Sequence, residues 1–190
     1  MHHGAPGLTL DEILSLLERG ADVALAPALA VSQLDHALQT AALVATARPG
    51  EVELAAAGLV HDIGHLLPEV DDEAHARAGA EAVRPALGER VATLVALHVE
   101  AKRYLVTGDS GYTGELAPDS TASLAHQGGT LTPTEAASFR AHPLAEAAVA
   151  LRRADDRAKV VGAGAEGLHL WVPMLRELSG CCGSPGNRGR

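Results

Sequence analysis

An all-α domain is what this chain predicts, on three observations. Hydrophobic residues make up 47% of its 190 residues while aromatics make up 2%. A core must then be assembled from Ala, Leu and Val, a composition that favours helices. Helix-start signals recur along the chain at the spacing of helix-and-turn units. No segment alternates apolar and polar residues as a half-buried strand does.

Taken in order, Thr9 with Glu12 forms a capping box ahead of Ile13, Leu16 and Leu17. Ser32 caps a helix running to about Ala47, which Arg48-Pro49-Gly50 ends. A third helix runs from about Val52 to Asp62 and breaks at Gly64. A fourth covers about 73–86, and a fifth runs from about Glu89 to Leu105. Residues 106–117 hold three glycines and read as a loop, followed by a short helix at about 119–126. Gln127-Gly128-Gly129 turns the chain, and Thr132-Pro133-Thr134-Glu135 starts another helix with Pro at an early position. Helices at about Pro143–Lys159 and Glu166–Leu178 complete the set. There is no internal repeat. The length suits one domain with a real core. That domain is assigned to 8–178, with 1–7 as a disordered start and 179–190 as a flexible Gly-rich tail.

The formal net charge of −9 argues against nonspecific nucleic-acid binding. An anionic substrate would need a local positive site, which metal ions can supply. No run of eighteen apolar residues is present, so no membrane span is expected, and the N-terminus has no leader pattern. Cys181 and Cys182 are adjacent and form no disulfide framework, which fits a reducing, cytoplasmic location. The oligomeric state stays open: the apolar stretch around Leu168, Leu170, Trp171 and Leu175 could cap the core or form a dimer contact.

The chemistry-bearing residues begin with His61-Asp62-Ile63-Gly64-His65. Imidazole and carboxylate suit Fe, Mn, Zn and other divalent ions. Adjacent helical residues point about 100° apart, so His61 and Asp62 reach one metal only if the helix frays there, as Gly64 permits. His65, one turn after His61, falls on the same face and could support a ligand or carry a proton. His36 and His98 each lie within apolar helical sequence, with Lys102 one turn after His98; His75 opens a helix. Taken singly, His36 and His98 read as core residues, His75 as an exposed helix-start residue, and Asp155 as part of a solvated charged face.

Together these residues resemble the HD-domain superfamily, whose defining ligands match His36, His61, Asp62 and Asp155. The chain resembles most its mixed-valent diiron oxygenase branch, which includes myo-inositol oxygenase and the phosphonate C–P bond-cleaving type known as PhnZ. The resembling segments are Val31–Ala41, His61–His65, His98–Leu105, Ser123–Gly129 and Leu151–Lys159. The resemblance implies a single helical bundle with a central dimetal site. It implies that His36, His61, Asp62 and Asp155 hold one iron, that His75 and His98 complete the second, and that Asp62 bridges them. Asp155 is preferred to Asp156 because the related oxygenases carry Lys four residues after their Asp, and Lys159 fits. Lys102, Ser123, Gln127 and Arg152 would hold phosphonate oxygens, Lys102 also serving catalysis, with His65 beside the oxygen-binding position. The implied cofactors are two Fe ions, Fe(II)/Fe(III), with O2 as co-substrate. The implied substrate is a small 1-hydroxyalkylphosphonate, cleaved to a carboxylic acid and phosphate.

One departure stands out. Where related enzymes carry a Tyr and a Glu ahead of the first ligand His, this chain has Ala26 and Leu29. Neither can ligate iron or pair with an ammonium group, so the substrate is expected to lack the 2-amino group or to be read differently. The same ligands would also serve a metal-dependent HD phosphohydrolase acting on a phosphomonoester or nucleotide, where metal-bound hydroxide attacks phosphorus. That reading gives no reason for His75, Lys102 and Gln127-Gly128-Gly129 to occur together. A metal-stabilised binding module without activity is the third reading.

Overall fold

Thr9 opens α1 (Leu10–Arg19): its hydroxyl accepts from the Glu12 amide, and the Glu12 carboxylate accepts from the Thr9 amide at 2.8 Å. Ser32 opens α2 (Gln33–Ala47) in the same way, accepting from the Asp35 amide at 3.0 Å. These local bonds satisfy donors that a helix start leaves unpaired. This computed structural model describes residues 7–26, 29–108, 111–112, 116, 118–163 and 167–182. The tail expected at 1–7 lies outside them except for Gly7, and the one expected at 179–190 lies outside them from 183 onward.

The further α-helices named among the described residues are α3 (Val52–Val60), α4 (His75–Gly108), α5 (Pro118–His126), α6 (Pro133–Ala141), α7 (Ala145–Arg157) and α8 (Val172–Cys182), and Gly111 and Tyr112 are also helical. Among the described residues there is one isolated antiparallel bridge, Ala24 with Ser32, and no strand. The protein is all-α. No helix among the described residues is long and apolar enough to cross a membrane.

The core is built from Ala, Leu and Val, with Ile13, Leu54, Leu87, Leu94, Leu151 and Leu175 fully enclosed. Phe139 is buried and packs against Tyr104, ring centroids 4.8 Å apart. Small residues let helices approach closely. A side chain on Gly58 would meet the Ala41 backbone at 3.2 Å, so α2 and α3 touch almost backbone to backbone. α2, α3, α4 and α7 pack on one another around the centre described below.

The two helices expected at 73–86 and 89–105 are present, grouped here as α4 and meeting at a sharp bend at Gly88 (φ 84°, ψ 173°). Only Gly adopts that conformation freely, so the break falls there. Two other boundaries differ from expectation. The loop expected at 106–117 yields its first three residues to α4, and Tyr112 within it is buried. The last helix starts later and ends later than expected. Leu168–Leu170 form a 3₁₀ turn, and α8 continues through Cys182, four residues past Leu178.

Candidate metal centre and adjoining pocket

α3 ends at Val60, and the chain turns through Asp62 (φ −99°, ψ 9°) into the 3₁₀ turn Ile63–Leu66. Leaving the helix there swings Asp62 toward His61 instead of 100° away. Gly64 has a role beyond backbone freedom. A Cβ on it would lie 2.0 Å from the His75 carbonyl oxygen, and one on Gly79 would lie 3.1 Å from the Gly64 amide. The motif turn therefore packs directly on the start of α4, which sets His75 beside Asp62. His98 comes from beyond the bend. Twenty-three residues of straight helix would separate it from His75 by about 35 Å, yet their Nε2 atoms are 3.1 Å apart.

Asp62 is the hub. Its Oδ2 lies 3.6 Å from His36 Nε2 and 3.5 Å from His61 Nε2. Its Oδ1 lies 3.7 Å from His75 Nε2 and 3.5 Å from His98 Nε2. Asp155 joins the first group, with Oδ1 3.3 Å from His36 Nε2 and 3.9 Å from His61 Nε2. Asp156 turns away, to Arg152 and Tyr112. Two groups of potential ligand atoms, His36–His61–Asp62 and Asp62–His75–His98, thus share one carboxylate, with Asp155 beside the first, and a further group, His65, Asp72 and His75, adjoins the second.

Each of the four imidazoles is oriented by a main-chain carbonyl. Nδ1 donates to Ala158 O in His36 (2.8 Å), to Gly58 O in His61 (2.9 Å), to Val95 O in His98 (2.7 Å) and to Asp72 O in His75. A carbonyl accepts only, so Nδ1 carries the proton and each Nε2 presents its lone pair. His36 and His61 Nε2 face each other at 3.2 Å. Lone pairs converging so closely in the core are what a bound cation would satisfy. These His and Asp clusters form a metal-binding site, and their donor set fits divalent metals including iron.

The electrostatics agree. Burial drives the His98 imidazole well below its ordinary value, helped by His75, and burial lowers His75 as well. Both imidazoles are therefore uncharged at neutral pH. Burial also opposes charge on His36, but the Asp155 carboxylate outweighs it and raises that imidazole. Burial would raise Asp62 and Asp155; the imidazoles around Asp62, and Arg152 beside Asp155, hold both below the usual carboxylate range.

Against this centre lies a cavity of about 340 Å³. Lys102 and Lys159 enter it with buried Arg152. Lys102 Nζ donates to Ser123 Oγ at 2.9 Å, and Lys159 Nζ donates to Ser120 Oγ at 2.9 Å. Burial and the neighbouring Arg152 push Lys102 down to about 8. Arg152 gives Nη1 to Asp155 Oδ2 at 2.7 Å, Nε to the Tyr112 hydroxyl at 3.2 Å, and Nη2 to Asp156. It therefore fixes the Asp155 carboxylate beside the centre as well as adding charge to the pocket wall. Gln127 lines the same pocket, its Nε2 donating to Asp72 Oδ2 at 3.1 Å. His65 stacks on His75, ring centroids 4.0 Å apart, with Nε2 4.0 Å from Asp62 Oδ1. Val23, Leu25, Ala26, Leu29 and Val99 supply the apolar part of the pocket lining. The Leu29 amide donates to Ala26 O at 3.0 Å and the Gln33 amide donates to Val23 O at 2.8 Å, which fixes Ala26 and Leu29 there.

Sequence reasoning passed over Asp72, Ser120 and Gln39, and used Lys159 only to choose between Asp155 and Asp156. Gln39 ties α2 to the chain after α7, donating to Val160 O at 3.0 Å and accepting from the Val160 amide at 3.1 Å. No local pattern marks these residues, because their partners are distant in sequence.

A family model of the HD domain matches residues 34–158. The chain is 40% identical over 156 residues to the hydroxymethylphosphonate dioxygenase of Gimesia maris, covering 77% of this chain and 74% of that protein. It is 27% identical over 157 residues to the uncharacterized protein L432 of Acanthamoeba polyphaga mimivirus, covering 77% and 71%. The matched span runs from just before His36 to just after Asp155 and so takes in every residue gathered around Asp62: this chain belongs to the HD-domain family.

Proposed function

We propose that this protein is an O2-dependent diiron oxygenase that cleaves the C–P bond of a small 1-hydroxyalkylphosphonate. The observation that carries the reading is one carboxylate, Asp62, shared by two imidazole pairs directly against a cationic pocket. The relative at 40% identity, named for action on hydroxymethylphosphonate, supports it. His36, His61, Asp62 and Asp155 would hold one iron, and Asp62, His75 and His98 the other. Bound iron would supply Lewis acidity and the redox capacity to use oxygen.

The chain's own residues do the rest. Lys102, Lys159 and Arg152 neutralise the phosphonate, and Ser120 and Ser123 set the lysine ammonium groups in place. His65 Nε2, within reach of both Asp62 and Asp72, carries protons between the pocket and those carboxylates. The apolar wall at Ala26 and Leu29 offers nothing to an ammonium group, so substrates without an amine are preferred. In the balanced reaction one hydroxyphosphonate dianion and one O2 give one carboxylate, one hydrogen phosphate and one proton. The C–P and C–H bonds break, and each product gains one oxygen atom. A cytoplasmic setting, keeping Cys181 and Cys182 reduced, belongs to the same proposal.

The test is phosphate release with oxygen uptake in parallel, on protein loaded with iron anaerobically. The panel holds hydroxymethylphosphonate, longer 1-hydroxyalkylphosphonates with and without a 2-amine, and common phosphomonoesters. Matched phosphate and oxygen from an amine-free hydroxyphosphonate is the expected result. Phosphate from an ester with no oxygen consumed would overturn the proposal in favour of hydrolysis.

A further inference from the structure

Gln127 is enclosed, and its amide nitrogen has two acceptors on one residue, the Asp72 carboxylate at 3.1 Å and the Asp72 main-chain oxygen at 3.5 Å. Both acceptors lack a proton to give. The carboxamide can therefore adopt one orientation only, nitrogen toward Asp72 and oxygen away from it. That oxygen, Oε1, is buried and has no hydrogen-bond partner among the described residues. A buried carbonyl without a donor is unfavourable and unusual, and this one belongs to a residue that lines the pocket.

We infer that Asp72 is a positioning and specificity residue: by fixing the Gln127 carboxamide it turns Gln127 into an acceptor that reads a hydroxyl donor on the substrate. This rests on the phosphonate reading above. A fully ionised phosphonate oxygen cannot donate, so the Gln127 Oε1 does not hold one. The donor is a hydroxyl, on C1 or on a singly protonated phosphonate. Asp72 also takes the His75 Nδ1 proton on its main-chain oxygen, so the residue that sets this acceptor lies next to a ligand of the centre.

The test is a charge-conserving swap. Asp72→Asn frees the carboxamide to rotate. Gln127→Glu sets two carboxylates against each other. Each single change is expected to raise KM at least about tenfold, the scale of one buried hydrogen bond, with a smaller effect on kcat. In the double variant Asp72→Asn/Gln127→Glu, the residue at 72 donates and the residue at 127 still presents an acceptor oxygen, so KM is expected to return most of the way to wild type. A double variant no better than Gln127→Glu alone would overturn the inference. Gln127→Met separates the two donor sources: loss of affinity for methylphosphonate as an inhibitor indicates the protonated phosphonate, and loss confined to hydroxyphosphonates indicates the C1 hydroxyl. Side-chain amide NMR of isotope-labelled, zinc-loaded protein needs no substrate. Slow exchange of the Gln127 amide protons, lost in Asp72→Asn, is expected; rapid exchange in wild type would overturn the inference even if no phosphonate is turned over.

Discussion

Four imidazoles with Nδ1 tied to main-chain carbonyls can present only Nε2 to a metal, so ligand count follows from rings whose tautomers are already set. Asp62 serves both ligand sets and His98 only one. Elemental analysis is therefore expected to find about two metals per chain in wild type, about one in His98→Ala, and less than one in Asp62→Asn, following the two-set geometry. Equal metal content in all three would refute the bridging role. Lys102 gives a second prediction. Its depression from 10.5 to about 8 corresponds to roughly 3 kcal/mol of lost stability. A lysine lowered on folding imposes its full cost below about pH 8 and none above the unfolded value of 10.5. Urea titrations of metal-free Lys102→Met should show a stability gain over wild type at pH 7 that fades as pH rises from 8 toward 10.5, while substrate affinity is lost at every pH. A gain that does not vary with pH would mean packing, not desolvation of the ammonium, sets the difference.

Helices reach the centre because small residues let them. The Gly58–Ala41 contact brings α2 to α3, and so His36 to His61; the Gly64–His75–Gly79 contact brings the motif turn to α4, and so Asp62 to His75. The fold of α4 at Gly88 returns His98 to His75. Gly64→Ala places a methyl group against a carbonyl oxygen with nowhere to move. It is expected to cost about 3 kcal/mol or more by overpacking, read by thermal unfolding, and to lower metal content at the His75–His98 set first. Normal stability in Gly64→Ala would show that the close approach is not what requires glycine.

At the scale of the molecule, a chain of net charge −9 places three of its fifteen Lys and Arg residues, Lys102, Arg152 and Lys159, at one pocket beside the Asp62 and Asp155 carboxylates. Binding only the folded state, metal at a hundred times its dissociation constant adds about 2.7 kcal/mol. Chelation is expected to lower Tm by roughly 5–10 °C for a domain of this size, reversibly on adding iron, with Asp62→Asn insensitive to both. Metal affinity should fall as pH is lowered, because the raised His36 imidazole keeps a proton that the metal must displace. Chelator-sensitive unfolding in Asp62→Asn would place the stabilising metal elsewhere.

Helix starts and fold class are local or compositional properties, and for that reason could be read from the chain. A capping box needs only Thr9 and Glu12, and α2 begins and ends where Ser32 and Arg48-Pro49-Gly50 say it should. The candidate ligands were picked out because their types and order resemble a known pattern, and the fold gathers them around Asp62. What local pattern cannot carry is distance across the fold. That Gly64 is required by the His75 carbonyl, that Arg152 also reaches the Tyr112 hydroxyl, and that Asp72 turns the Gln127 oxygen toward a buried place without a donor all depend on residues outside local reach in sequence. Hydrophobic periodicity selects the face a helix buries, but side-chain volume and backbone approach select which polar atoms meet inside, and in this protein those meetings make the site.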